Sequence, residues 1–345
     1  MSMKAVILPG NQEVNVVERP IPTPGEGEVL IKLRSSAICR SDMSLYYGNP
    51  LVGGAAAKTG LIIPGHETAG DVIKIGPGVT THQLGDRVAV YVAFGCGRCK
   101  YCLSGYYHLC PTWKCLGFDI DGGDADYMVV PATNCMKIPD RLSYEIGSLL
   151  VDNVGVQYSA QKRLGVSGAT TLAVFGLGPM GSAAVLLAKA RGAKVFAIDV
   201  LDSRLEMAES LGADVLINST KEDPVSRIRA LTRGEGVDIA MDCSGNAAAQ
   251  NAALDVAKKM GAVGFVGEGA SATVNPSEQF IRKLLTVHGC WIFPIYEFEE
   301  AANFIIDHNI PVEQFITHRF PLDQAADAFR LFNERKTEKA VFVWD

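Results

Sequence analysis

No run of basic residues occurs in this 345-residue chain, whose net charge is -6 and whose pI is near 5.6. A surface that cannot neutralise a row of phosphates is a poor match for nucleic acid or an anionic membrane, and neither is expected as a partner. A secretory signal is not expected, because the apolar run in MSMKAVILPGNQEV is too short and Pro9-Gly10 breaks it. Residues 164–188 carry no charge and are long enough to span a bilayer, but Gly165, Gly168, Gly176, Gly178, Pro179 and Gly181 interrupt them. A strand-turn-helix unit fits those residues better than a lipid-facing helix. No repeat of fixed period and no low-complexity tract is present. The expected location is the cytoplasm.

What is present suits a folded enzyme-sized body. Hydrophobic residues make up 48% of the chain and charged ones 20%, with a mean hydropathy of +0.15. At about 150 residues per domain, that predicts two domains with ample core. Residues 4–8, 13–18, 28–38, 69–75, 87–93 and 125–130 read as short strands separated by glycine-rich turns, which predicts a β-barrel-like domain. Near residue 142 the pattern changes. Ser143 is placed to cap a helix running through Leu150, and 153–163 continues as a second helix. Strand patterns at 171–175, 194–199, 215–218, 237–242, 262–266 and 287–292 then alternate with amphipathic helices, which predicts a doubly wound parallel sheet. After Pro294 come two more helical stretches, the second with Asp323 as its expected N-cap, and a last strand at 340–344 that suits the first domain.

The nine cysteines are unevenly placed. Cys96, Cys99, Cys102 and Cys110 follow the spacing C-x2-C-x2-C-x7-C. Four thiolates on one short loop can close a tetrahedral shell around zinc and leave no open position, which marks a structural site. Pro111 after Cys110 keeps an iron–sulfur cluster as the alternative, although the last gap is longer than in ferredoxins.

Gly176-Leu177-Gly178-Pro179-Met180-Gly181 follows the apolar strand TLAVF and opens an Ala/Leu-rich helix. In that context each glycine has a mechanical reason. Gly176 allows the tight turn, Gly178 lets the backbone approach a pyrophosphate, and Gly181 lets helix and strand pack closely. The helix N-terminus then offers unpaired N–H groups to the phosphates. Asp199 ends the next strand, 18 positions after Gly181, where a carboxylate binds ribose hydroxyls and disfavours a 2′-phosphate. NAD(H) is therefore the expected dinucleotide, with Arg204 a further residue at its adenosine end.

Cys39, His66 and a third donor would make a second metal site, with an open position suited to catalysis. Asp42 can accept the second ring N–H of His66 and fix its tautomer. The plain alternatives are a buried core thiol at Cys39 and a helix cap at Asp42.

GHETAGDVIKIGPGV at 65–79 matches the zinc-alcohol-dehydrogenase signature at every fixed position, and CRSD, the cysteine quartet and GLGPMG occur in the family's order. The chain resembles a zinc-dependent medium-chain dehydrogenase nearly end to end. That resemblance implies a GroES-like catalytic domain from both chain ends (1–150 and 293–345) with a Rossmann NAD-binding domain (151–292) inserted. It implies two zinc ions per subunit, Cys39 and His66 as catalytic ligands, and Glu67 as an adjacent carboxylate able to approach the metal. It implies Ser41 as the hydroxyl that takes the alcohol proton and Arg40 as a residue for the cofactor pyrophosphate. The remaining ligand falls near 149–153, where Asp152 is the residue of suitable chemistry, though shorter than the family's glutamate. Ser44 stands where some members carry a relay histidine. The implied activity is reversible hydride transfer between an alcohol, expected to be secondary, and NAD, with polyol or L-threonine-type substrates as the alternative. A zinc-free reductase and a non-catalytic nucleotide binder are further alternatives. Relatives of this kind imply a homo-oligomer, dimer or tetramer. Trp113, Leu116, Phe118 and Trp291 are candidates for an apolar pocket wall favouring a secondary or bulky alcohol, with plain core packing the commoner reading of aromatics at such spacings.

Overall fold

The structure is a computed structural model and describes residues 1–269 and 271–345. The chain divides into two compact units: Met1–Gly155 with Phe293–Asp307 and Ile316–Asp345, and Val156–Ile292 with His308–Phe315. The second unit thus takes a short piece of the C-terminal region as well. The reason is apolar: Val312 and Phe315 are fully buried, and the turn Val312–Phe315 packs against the helix Pro179–Ala190.

The first unit is built on a sheet whose central strand, Glu28–Ala37, pairs antiparallel with Glu67–Ile75 on one side and Lys339–Val343 on the other. Tyr127–Pro131 also pairs with the central strand, and Arg87–Val90 with Cys135–Lys137 extends the sheet beyond Glu67–Ile75. One face of the central strand is apolar, with Val29, Ile31, Leu33 and Ala37 fully buried, and the other carries the half-buried Lys32 and Arg34. The final strand is one residue displaced from the expected run, and it parallels Ile316–Phe320. Ser143 does cap the helix Tyr144–Leu150, its Oγ accepting from the Ile146 N–H at 3.2 Å. Asp323 does not cap the last helix. It lies in the turn Leu322–Gln324 and pairs with Lys4 at 2.7 Å, and the helix Ala325–Asn333 begins two residues after it.

The second unit is a parallel six-stranded sheet in the order Val215–Asn218, Lys194–Asp199, Thr171–Phe175, Val237–Asp242, Ala257–Phe265, Thr286–Gly289. Strand order reverses beside Thr171–Phe175, the first strand of the sheet, and an open α/β sheet binds its ligand outside the strand ends at such a point. The two central strands are buried apart from one residue each, Thr171 and Asp238, as strands covered on both faces must be.

Candidate functional site

The central strand Glu28–Ala37 carries the first-unit site at its C-terminal end. Ala37 pairs with both Glu67 and Val341, so the starts of Glu67–Ile75 and Lys339–Val343 flank the point where the chain turns into Cys39. Asp42 fixes that turn, its Oδ2 accepting the Cys39 N–H at 2.8 Å. Its other oxygen lies 3.1 Å from His66 Nδ1, off-axis for a hydrogen bond, and neither atom has another hydrogen-bond partner among the described residues. Asp42 therefore directs the Nδ1 edge of the ring to itself and leaves Nε2 for the site.

Nε2 of His66 is 3.4 Å from Asp152 Oδ2 and 3.3 Å from the Ser41 hydroxyl, and Cys39 Sγ is 3.6 Å from the same Asp152 oxygen. Donor atoms of Cys39, His66, Glu67 and Asp152 all fall within 4.8 Å of one another. Asp152 reaches the cluster from the junction between the helices Tyr144–Leu150 and Asn153–Leu164. The Phe118 ring covers one side of His66, with centroids 5.7 Å apart.

Charge in this cluster is unbalanced. Burial and the neighbouring Asp152 hold the Cys39 thiol above its usual pKa. Burial alone would lower His66, but Asp42, Asp152 and Cys39 outweigh it and raise the imidazole well above its ordinary value. Burial would raise Asp152, but His66 draws it below the usual carboxylate range. Glu67, fully buried, is pushed up to about 7 by desolvation, while Lys339 opposes the shift. One Glu67 oxygen takes a hydrogen bond from the fully buried Lys339 ammonium at 2.5 Å. The other, Oε2, has no partner among the described residues. Sulfur, nitrogen and oxygen donors at these separations, with an orphaned carboxylate oxygen beside them, fit a divalent zinc ion, which also makes the thiolate form of Cys39 favourable.

The quartet gathers as its spacing predicts, with all four sulfurs within 4.8 Å. Cys99 and Cys102 are 3.5 Å apart, close to the ~3.8 Å separation that four Zn–S bonds of about 2.3 Å impose. Backbone N–H groups approach the sulfurs: that of Cys96 donates to Cys110 Sγ at 3.3 Å, and that of Cys102 to Cys99 Sγ at 3.5 Å. Burial opposes ionisation of Cys110, but Thr112 and the Cys96 backbone lower it to about 6, whereas burial takes Cys102 up to about 12. One site thus mixes ready and reluctant thiolates, and a dication is what makes all four ionise.

In the second unit the glycine turn and Asp199 meet as predicted. Gly176 adopts φ +84°, and a Cβ on Gly181 would fall 1.9 Å from the Gly176 carbonyl oxygen. Gly178 caps the helix Pro179–Ala190, whose first residues Pro179 and Met180 are half-buried. Asp199 accepts from the N–H groups of Leu177, Val200 and Leu201 at 2.7, 2.7 and 3.0 Å, which ties the strand end to the turn. The Arg204 guanidinium lies 3.8 Å from Asp199 and packs against the side of Gly178 that a Cβ would occupy.

Other expectations fare differently. Arg40 is exposed in the turn after Cys39. Leu116 and Phe118 are fully buried, Phe118 against His66, Trp113 is half-buried, and Trp291 is 37% exposed. Ser44 is occupied locally, its Oγ accepting the Leu51 N–H at 3.1 Å. Two buried residues carried no sequence signal: Lys339, and Asp124, whose Oδ1 takes the Ser36 hydroxyl at 2.6 Å and whose pKa burial raises to about 7.

Residues 25–140 match the alcohol dehydrogenase GroES-like domain and residues 179–307 the zinc-binding dehydrogenase domain. An uncharacterized zinc-type alcohol dehydrogenase-like protein, YphC of Escherichia coli (strain K12), is 38% identical over 99% of this chain and 98% of its own length. This chain belongs to the zinc-dependent medium-chain dehydrogenase family. Within that family it is an oxidoreductase with a GroES-like domain and a Rossmann sheet. L-threonine 3-dehydrogenase of Pyrococcus horikoshii is 34% identical over 95% of this chain and 94% of its own length, and sorbitol dehydrogenase of Bacillus subtilis (strain 168) 32% over 98% and 95%. Among solved structures, alcohol dehydrogenase TADH from Thermus sp. ATN1 superposes with a TM-score of 0.91 at 29% identity, covering 99% of both chains. Among the described residues, no helix of this dehydrogenase is long and apolar enough to cross a membrane.

Proposed function

We propose that this family member oxidises a secondary alcohol reversibly to its carbonyl with NAD as hydride acceptor, through a zinc ion held by Cys39, His66 and Asp152. The observation that carries the reading is the convergence of those three donors with the Ser41 hydroxyl 3.3 Å from His66 Nε2. Zinc at such a site supplies Lewis-acid polarisation of a hydroxyl oxygen. The chain's own residues do the rest. Asp42 holds the imidazole so that Nε2 faces the cluster, and Phe118 shields the ring from water. Once His66 Nε2 is committed to an ion, the Ser41 hydroxyl loses that partner and is free to take the substrate proton. Ser44 is engaged with Leu51, so onward release of the proton runs through water or the cofactor ribose.

The second unit supplies the cofactor platform. Gly178 stands at the helix N-terminus with the Arg204 guanidinium against it, where a pyrophosphate would meet both backbone N–H groups and a cation. Asp199 at the strand end supports NAD over NADP, since a 2′-phosphate would meet its carboxylate. The two relatives above are named for L-threonine and sorbitol, and both compounds contain a secondary hydroxyl. That favours a polyol or amino alcohol as the second reading over a simple 2-alkanol.

NADH formation followed at 340 nm across 2-alkanols, polyols and L-threonine, before and after zinc chelation, tests the proposal. Turnover of one class that disappears on chelation and returns with zinc is expected. Turnover indifferent to chelation would favour the zinc-free reductase, and none with any alcohol a nucleotide binder. We also propose a homo-oligomer, because the edge strand Thr286–Gly289 and its surroundings expose Met260, Leu284 and Val287. Light scattering showing a monomer at micromolar concentration would refute it.

A further inference from the structure

Tyr91 is fully buried in the first unit, directly after the strand Arg87–Val90. Asn134 pins its backbone: the Tyr91 N–H donates to the Asn134 carbonyl at 2.8 Å, and the Asn134 side-chain amide donates back to the Tyr91 carbonyl at 3.1 Å. The Tyr91 hydroxyl donates its single proton to the Phe293 carbonyl. Its oxygen can then only accept from His108, whose Nδ1 lies 3.2 Å away, which sets the imidazole as Nδ1–H. His108 stands two residues before Cys110 of the quartet. A second link runs beside the first, with the Ile295 N–H donating to the Gly105 carbonyl of the quartet loop at 2.9 Å.

Phe293 carries the connection onward. Its ring stands edge-on to Tyr91, with centroids 5.4 Å apart, and lies where a Cβ on Gly155 would come within 2.5 Å of it. Gly155 is in the first turn of the helix Asn153–Leu164, three residues after Asp152. Close-packed interiors transmit such displacements because no void absorbs them. The quartet loop, the buried tyrosine, the phenylalanine and the aspartate donor thus form one contiguous chain of contacts within one unit.

We propose that Tyr91 is a positioning residue that couples the cysteine-quartet loop to Asp152, so that filling the quartet tightens the hold of the Cys39–His66–Asp152 site on its own ion. The proposal rests on reading both clusters as metal sites, and it goes beyond that reading by making one depend on the other. Tyr91 is fully buried, and its effect falls on metal affinity first.

The test uses full-length protein with zinc in the quartet and cobalt(II) in the Cys39 site, where thiolate–cobalt absorption reports occupancy independently of turnover. In Tyr91→Phe, competition with a chelator is expected to give about tenfold weaker cobalt binding, in the range found for supporting partners of metal ligands. Quartet zinc and far-ultraviolet circular dichroism should stay unchanged. Cys96→Ser, which opens the quartet, is expected to weaken the Cys39 site by about tenfold in wild type and by less than about twofold in the Tyr91→Phe background, because coupled changes do not add. Unaltered cobalt affinity in Tyr91→Phe, or an equal effect of Cys96→Ser in both backgrounds, would overturn the proposal. If wild type holds fewer than two ions per chain, the metal reading itself fails, and that result is distinct from both.

Discussion

Lys339 and Glu67 are 1% and 0% exposed and share a hydrogen bond beside three other ionisable groups, so replacing the lysine with methionine probes the site's charge directly. Removing one member of a buried pair costs about 3–5 kcal/mol if the other stays charged. Glu67 has a less costly course, because burial already places its pKa at about 7 with Lys339 present, and without the cation it rises further. Above pH 7 the wild-type glutamate is therefore ionised in both folded and unfolded chains, whereas in Lys339→Met the folded chain keeps a proton that the unfolded chain has lost. Folding then loses about 1.4 kcal/mol per pH unit relative to wild type, so from pH 7 to pH 8.5 the deficit grows by about 2 kcal/mol. Below pH 7 both folded forms carry the proton and the difference is flat. Urea denaturation of metal-free protein from pH 6 to pH 8.5, with equal m-values for the two chains, measures this. Lys339→Met combined with Glu67→Gln should remove the slope. A deficit independent of pH across that range would show that Glu67 is not the group responding to Lys339.

Three further outcomes follow from the geometry. Asp152→Ala should lower bound zinc from about two ions per chain to about one, read by elemental analysis, since a site missing a donor loses its ion first. Asp238→Asn should destabilise by about 1–3 kcal/mol, because its carboxylate binds the Thr171 N–H at 2.7 Å and hydroxyl at 2.6 Å as well as Lys258. Burial opposes ionisation there, but Lys258 and Thr171 outweigh it and depress the pKa, so this stabilisation is present above pH 3.8 and is lost as pH falls through the lower folded value. Gly181→Ala should weaken NAD binding by about 1–3 kcal/mol in calorimetry, because the new Cβ meets the Gly176 carbonyl and must push strand and helix apart.

Features set by short-range spacing were legible in the sequence. The quartet lies on one loop, and the glycine turn with Asp199 lies within one βαβ unit, so chain connectivity brings their members together. Asp42 was legible for the same reason, being three residues from Cys39. Lys339 was not, since 272 positions separate it from Glu67 and only the pairing of Ala37 with both Glu67 and Val341 brings them together. A lone lysine entering a terminal strand reads as a solvated edge. Asp323 failed for the opposite reason. An aspartate before an amphipathic run fits a cap, yet Lys4, 319 positions away, competes for its carboxylate and a short turn intervenes. Leu116 shows the limit of apolar pattern, which marks burial without distinguishing a core from a pocket wall.

The aspartate at 152 shows how backbone placement substitutes for side-chain length. An aspartate is one methylene shorter than a glutamate, which suggests a stretched bond or one shared with Glu67. Asp152 Oδ2 lies 3.4 Å from His66 Nε2 and 3.6 Å from Cys39 Sγ, separations that match donors around one tetrahedral zinc. The reach is recovered by position, since Asp152 occupies the break between two helices, where its backbone can advance toward the cluster. Glu67 meanwhile has one oxygen engaged by Lys339 and leaves Oε2 without a partner among the described residues, so in the proposed zinc site Oε2 would be the atom facing the ion. The two carboxylates are set apart by different neighbours: His66 draws Asp152 acidic, which suits the ligand role proposed for it, and burial pushes Glu67 up to about 7.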